Sequence, residues 1–91
     1  MKKSDLVSEI AARKSLTAKD ASKIISIIIE EITQSLFLGE RAEFRGFGVF
    51  TSRIREEREG RNPKTGNLIK VKRKRIPHFK MAKQFFNKVN N

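Results

Sequence analysis

Between positions 53 and 75 the chain carries ten lysines and arginines, namely Arg53, Arg55, Arg58, Arg61, Lys64, Lys70, Lys72, Arg73, Lys74 and Arg75, against three acids, Glu56, Glu57 and Glu59. Side chains so charged cannot close a core, and the chemistry they suit is the neutralisation of a polyanion. At the centre stands Gly60-Arg61-Asn62-Pro63-Lys64-Thr65-Gly66, a proline-glycine turn between two extended runs, which is the pattern of a β-hairpin. Pro63 biases Asn62 toward extended backbone and suits the second position of a turn, while Gly66 tolerates positive φ. Two compatible readings of Pro63 follow: it makes the turn, and at the tip of a cationic ribbon it can also enter a base step as an apolar wedge, the device by which minor-groove proteins kink DNA.

Other chemistries find little support. His78 is the only histidine and there is no cysteine, so a metal site or a nucleophile-base pair has no partners to draw on. Glu56, Glu57 and Glu59 alternate with arginines on a ribbon without a pocket, where they limit nonspecific charge and pair with Arg53, Arg55, Arg58 or Arg61. Phe44, Phe47 and Phe50 have the spacing of one buried sheet face; the competing reading, base stacking on single strands, lacks the tyrosine or tryptophan such surfaces use. The run Lys72-Arg73-Lys74-Arg75 has the look of a localisation signal, and strand residues facing a polyanion account for it equally well. No catalytic residue, metal ligand, cofactor or small-molecule substrate is expected.

The rest of the chain agrees with this emphasis. The net charge of +11 over 91 residues is lopsided, with six basic and five acidic groups in residues 1–38 but fifteen and five in residues 39–91. Nucleic acid is the natural partner, ahead of an anionic membrane surface. The basic N-terminus leads into an amphipathic pattern containing Glu9, unlike a signal peptide, and no apolar run reaches the roughly 18 residues of a membrane span. A soluble, intracellular protein is expected. So short a chain with a basic arm outside its core also needs a partner chain.

The elements that must position the arm can be read in order. Ser4 is a suitable N-cap for a first helix of about ten residues carrying Leu6, Val7, Ile10 and Ala11. Thr17 with Asp20 resembles a capping box and opens a second helix that Gly39 stops. Along it Ala21, Ile24, Ile25, Ile28, Ile32, Ser35 and Leu36 follow three-four spacing, and Ile27 and Ile29 widen the stripe beyond what a helical hairpin can cover. Strands follow: Arg41 to Arg45, the Gly46-Phe47-Gly48 connection, Val49 to Arg58, and a return from Leu68 to Arg75 that Ile76-Pro77 ends. From about Lys80, the residues Ala82, Phe85, Phe86 and Val89 mark a short amphipathic helix.

Gly46-Phe47-Gly48-Val49-Phe50, then Arg55, Arg58 and Gly60-Arg61-Asn62-Pro63-Lys64-Thr65-Gly66, then Ile76-Pro77-His78-Phe79 with Lys80 and Lys83, together resemble the bacterial histone-like DNA-binding family of HU and IHF. The likeness runs in register through essentially the whole chain and is closest to HU. It implies an α+β fold: an N-terminal helical hairpin, a three-stranded antiparallel sheet with a long β-ribbon arm, a short C-terminal helix, and an intertwined dimer. It further implies that Pro63 intercalates at each tip and that Arg55, Arg58 and Arg61 lie in or beside the minor groove. Lys3, Lys80 and Lys83 then meet phosphates from the body, and backbone NH groups of Gly46 and Gly48 approach them. Phe47, Phe50 and Phe79 match family core positions and, with Ile25, Ile28, Ile32 and Phe44, are expected in the dimer core. Some positions depart from the family pattern. Ala82 stands where a glycine is common, Phe86 replaces a lysine, Arg45 replaces a usually uncharged residue, and Glu59 lies beside the arm tip.

The expectation is therefore one domain over residues 1–91, with a helical dimerisation part (1–39), a sheet and DNA-binding part (40–79, arm about 53–75) and a C-terminal helix (80–91). DNA contacts are expected from Lys3, Gly46, Gly48, Arg53, Arg55, Arg58, Arg61, Asn62, Pro63, Lys64, Lys70, Lys72, Arg73, Lys74, Arg75, Lys80 and Lys83. Functionally, the reading placed first is a nucleoid-associated homodimer that bends and compacts duplex DNA with little sequence preference. An IHF-like, sequence-selective subunit of a heterodimer comes second. An RNA-binding module and an enzyme stand further back.

Overall fold

A computed structural model describes residues 1–91. The chain divides into two compact units, Met1–Gln34 and Ser35–Asn91.

The first unit holds α1 (Lys3–Lys14) and most of α2 (Ala18–Phe37). Helix α1 begins earlier than its sequence suggests. Lys2 takes the N-cap position and its backbone N–H donates to the Asp5 carboxylate at 2.8 Å, leaving Ser4 inside the helix. The carboxylate does two jobs there, satisfying a free amide and facing the positive end of the helix dipole. Ser15 closes α1 in the left-handed region at φ 54°. Thr17 caps α2 as its sequence indicates, its hydroxyl accepting the Asp20 N–H at 3.1 Å. Along this unit Ala21 and Ile25 are buried, whereas Ile24, Ile27, Ile28 and Ile29 are each close to half exposed.

The second unit begins with the last turn of α2. Gly39, at φ 79°, donates to Leu36 O at 3.1 Å, and the next amide, Glu40, donates to Ser35 O at 2.9 Å. This pair of bonds is the left-handed stop that glycine allows after a helix. Five strands follow: β1 (Ala42–Phe44), β2 (Gly48–Arg55), β3 (Arg58–Arg61), β4 (Leu68–Val71) and β5 (Lys74–Met81), with α3 (Lys83–Val89) last. They form a three-stranded antiparallel sheet, order β1-β2-β5, and a separate two-stranded ribbon, β3-β4.

Several expected boundaries move, and the last helix starts at Lys83 and not near Lys80 because β5 runs through that position. The outgoing strand breaks after Arg55 and the return strand after Val71, so the arm has a joint at residues 56–57 and 72–73. The return strand does not end at Ile76-Pro77 but continues to Met81, with Pro77 opposite Ser52. Strand β5 lies at the edge of its sheet, where a missing N–H is tolerated.

Five phenylalanines cluster in this unit. Phe50 and Phe79, cross-strand partners, have ring centroids 4.7 Å apart, and Phe47 meets Phe85 edge-on at 4.9 Å and Phe79 at 5.2 Å. Phe44 adds an edge-on contact to Phe50. The rings therefore pack against one another, edge-on or tilted, instead of forming a platform for bases, with gains of about 0.5–1.5 kcal/mol per pair beyond burial. Gly48 is fixed by the same packing: a Cβ there would lie 2.5 Å from the Phe79 ring and 2.6 Å from Lys80 O. Ala82 enters α3 at φ −79° and ψ 153°, backbone open to any residue, so the usual glycine is not required.

Candidate nucleic-acid interface

Cross-strand partners in an antiparallel sheet share a face, and neighbours along a strand alternate. The β2-β5 register therefore sorts the charged residues without further assumption. On one face lie Thr51 with His78, Arg53 with Ile76, Arg55 with Lys74, and Lys80 beside Val49; on the other lie Phe50 with Phe79, Ser52 with Pro77, and Ile54 with Arg75. One side of the sheet is aromatic and the other is cationic, with Arg53, Arg55, Lys74 and Lys80 all exposed there. An open cavity of about 470 Å³ at the root of the arm is lined by residues 53–56 and 76–78, Glu56 among them.

The ribbon carries the charge outward. Arg58 pairs with Val71 and Gly60 with Ile69 on one face, and Glu59 with Lys70 and Arg61 with Leu68 on the other. The two arginines thus leave the ribbon on opposite sides. At the tip, Asn62 and Asn67 close the loop through an amide-carbonyl bond of 2.8 Å, and Gly66, at φ 72°, donates to Asn62 O at 2.7 Å. The Asn62 side-chain oxygen accepts the Lys64 N–H at 2.8 Å, a local bond that holds the turn. Pro63 stands exposed within this closed loop, at the end of the ribbon.

The glutamates find partners other than those expected. Glu57 pairs with Lys70 at 2.7 Å and Glu56 with Arg73 at 3.4 Å. Both acids reach across the joint to the return side of the arm and not to the arginines on their own strand. No three of the histidine and acidic side chains come together as metal ligands, and no helix is long and apolar enough to cross a membrane.

The remaining sites are scattered by comparison. Lys3 donates to the Ser26 hydroxyl at 2.8 Å; Lys64, Lys72 and Lys83 are exposed. Gly46 and Gly48 border an open cavity of about 540 Å³ together with Glu43, Arg45, Lys80 and Ala82. Gly48 itself is buried, which leaves Gly46 as the more accessible amide of the turn. Arg45 is absent from the residues expected to bind; its only signal in the sequence is its place directly before Gly46. Of the expected dimer-core residues, Ile25 is already sealed within the chain at 4% exposure and Ile32, Phe50 and Phe79 are half-buried. Ile28 at 49% and Phe44 and Phe47 at 41% remain open. Arg75 is separated from the other cations by the sheet alternation.

Three comparisons bear on this arrangement. A family model described as "Bacterial DNA-binding protein" matches residues 1–90. Among curated relatives, the integration host factor beta subunit of Colwellia psychrerythraea is 46% identical over 91 residues, covering 99% of this chain and 96% of the relative. That of Saccharophagus degradans is 44% identical, with 99% and 93% covered. Among solved structures, Anabaena HU in a cocrystal with DNA is similar with a TM-score of 0.83 at 38% identity, covering 98% of this chain and 97% of that one.

Proposed function

Since the chain belongs to the bacterial DNA-binding protein family that includes HU and integration host factor, we propose that it is one subunit of a dimer that bends duplex DNA, of the integration host factor beta kind. Family members are architectural DNA-binding proteins and not enzymes. The observation that carries the proposal is the two-sided sheet, aromatic on one face and cationic on the other, prolonged by a ribbon that presents Pro63 at its end. The named relatives favour the sequence-selective heterodimer subunit over the non-selective homodimer that the sequence reading placed first.

In this mechanism no bond is made or broken. Arg53, Arg55, Lys74 and Lys80 neutralise phosphates and release counterions, which supplies much of the affinity and makes it fall steeply with salt. Smooth bending of a 20–30 bp site costs on the order of 1–6 kcal/mol, and contacts along the sheet face and the arm offset it. Pro63 acts as the wedge at a base step, as in the minor-groove architectural proteins of which HU and integration host factor are established examples. The open Ile28, Phe44 and Phe47 are covered by the second subunit.

The likeness to Anabaena HU supports one further reading, a homodimer with little sequence preference. Native mass measurement of the chain alone, then competition between duplexes of about 35 bp with natural and scrambled sequence, separates the two. A selectivity approaching the ~10³-fold or more of specific DNA binders supports the beta-subunit reading, and a ratio near one supports the HU reading. For either, Pro63→Ala should still bind yet bend DNA less in a fluorescence-transfer assay. An unbent wild-type complex would remove both.

A further inference from the structure

Arg75 belongs to a run of four cations, Lys72-Arg73-Lys74-Arg75, but its surroundings are unlike those of the other three. The β2-β5 register sets it opposite Ile54, on the face of Phe50 and Phe79 and away from Arg53, Arg55 and Lys74. Its guanidinium Nη1 donates to the Ser52 hydroxyl at 3.1 Å, and that hydroxyl donates in turn to the Leu36 carbonyl at 2.9 Å. Leu36 is buried in the last turn of α2, and its carbonyl also accepts the Gly39 amide. A hydroxyl with one donor proton and acceptor lone pairs is matched to both neighbours in this relay.

Two further observations place the cation at the helix end. The last turn of α2 contains no basic residue of its own, although its free carbonyls form the negative pole of the helix dipole. The guanidinium also lies over Gly39, where an added Cβ would come 3.4 Å from Nη1 and 3.6 Å from Nη2. Arg75 thus supplies from the sheet the positive charge that the helix end lacks, and Ser52 carries the connection.

We propose that Arg75 is a positioning residue for DNA bending and not a phosphate ligand. Through Ser52 it braces the root of the arm, the β2-β5 pair, against the end of α2, and so fixes the direction in which the ribbon leaves the sheet. This inference rests on the DNA-bending reading above.

The test compares Arg75→Met, Ser52→Ala, Arg75→Lys and Lys74→Met with wild type in the dimeric protein. Bend is measured at saturating protein, and affinity is measured across a salt series. Ser52→Ala removes the relay while keeping every charge. Arg75→Met and Ser52→Ala should both reduce the bend and lower affinity about threefold to tenfold, the size of one net hydrogen bond, with a wild-type salt slope and a wild-type circular dichroism spectrum. Arg75→Lys, which keeps the charge but loses the fork, should restore the bend only in part. Lys74→Met should instead flatten the slope by about one phosphate contact, ~0.9. A slope lowered by Arg75→Met as much as by Lys74→Met, or an unchanged bend in Ser52→Ala, would overturn the proposal. Failure of the broader reading looks different, because wild type would then leave DNA straight and Lys74→Met would leave the slope unaltered.

Discussion

The three-stranded sheet and the ribbon are built from the same antiparallel pairing, yet only one of them has anything to rest on. In the sheet, Phe50 and Phe79 lie ring against ring and join Phe44, Phe47 and Phe85 in one cluster. In the ribbon, four residue pairs hold together with Leu68 67% exposed and Ile69 46% exposed. An isolated two-stranded hairpin is marginal in water, so backbone bonds alone do not give β3-β4 the order that aromatic packing gives β2-β5. On that contrast we propose a division of labour, in which the sheet is held by its own rings and the ribbon is completed by the duplex it binds.

The largest effect that sharpens this contrast is on the sheet side. Phe79→Ala should destabilise the fold by about 3 kcal/mol or more, read as a lower denaturation midpoint. A loss under ~1 kcal/mol would mean that the aromatic cluster is not what holds the sheet. On the ribbon side, hydrogen exchange at residues 58–71 should be fast in the free protein and slow in its DNA complex, while β2 and β5 are protected in both. Equal protection of the ribbon with and without duplex would erase the distinction. The smallest effect concerns the joint. Replacing Glu56 and Glu57 together by glutamine releases Arg73 and Lys70 from exposed ion pairs, which contribute at most ~1 kcal/mol each. Stability should barely move, and the salt dependence of DNA affinity should steepen, because two more cations can displace counterions. A shallower slope would show that these acids do not compete with phosphate.

Where a feature rests on local chemistry, the sequence discloses it. Thr17 and Gly39 bracket α2 because capping and the left-handed stop involve only neighbouring residues, and the Asn62-Pro63 turn is legible for the same reason. Features that depend on what lies across the sheet were not. Pro77 reads as a terminator until β5 is known to be an edge strand. Ser4 is the exception among local features: it reads as a cap because it is a better capping residue than Lys2, whose amide and the Asp5 carboxylate start the helix earlier. The arm joint at residues 56–57 is invisible among uniformly charged side chains. For the binding surface, the charge of the stretch 53–75 was evident, but a run of cations looks homogeneous in one dimension. Only the register reveals that Arg75 turns away from Lys74, and only the folded joint brings Glu57 to Lys70.

Only three apolar side chains, Ala21, Ile25 and Leu36, are buried in one copy of the chain. On the dimer proposed above, so little closed interior makes acquiring structure and acquiring a second subunit a single equilibrium governed by mass action. The melting temperature should then climb with total protein concentration, and diluting the cell's supply would lose the fold itself along with the grip on DNA.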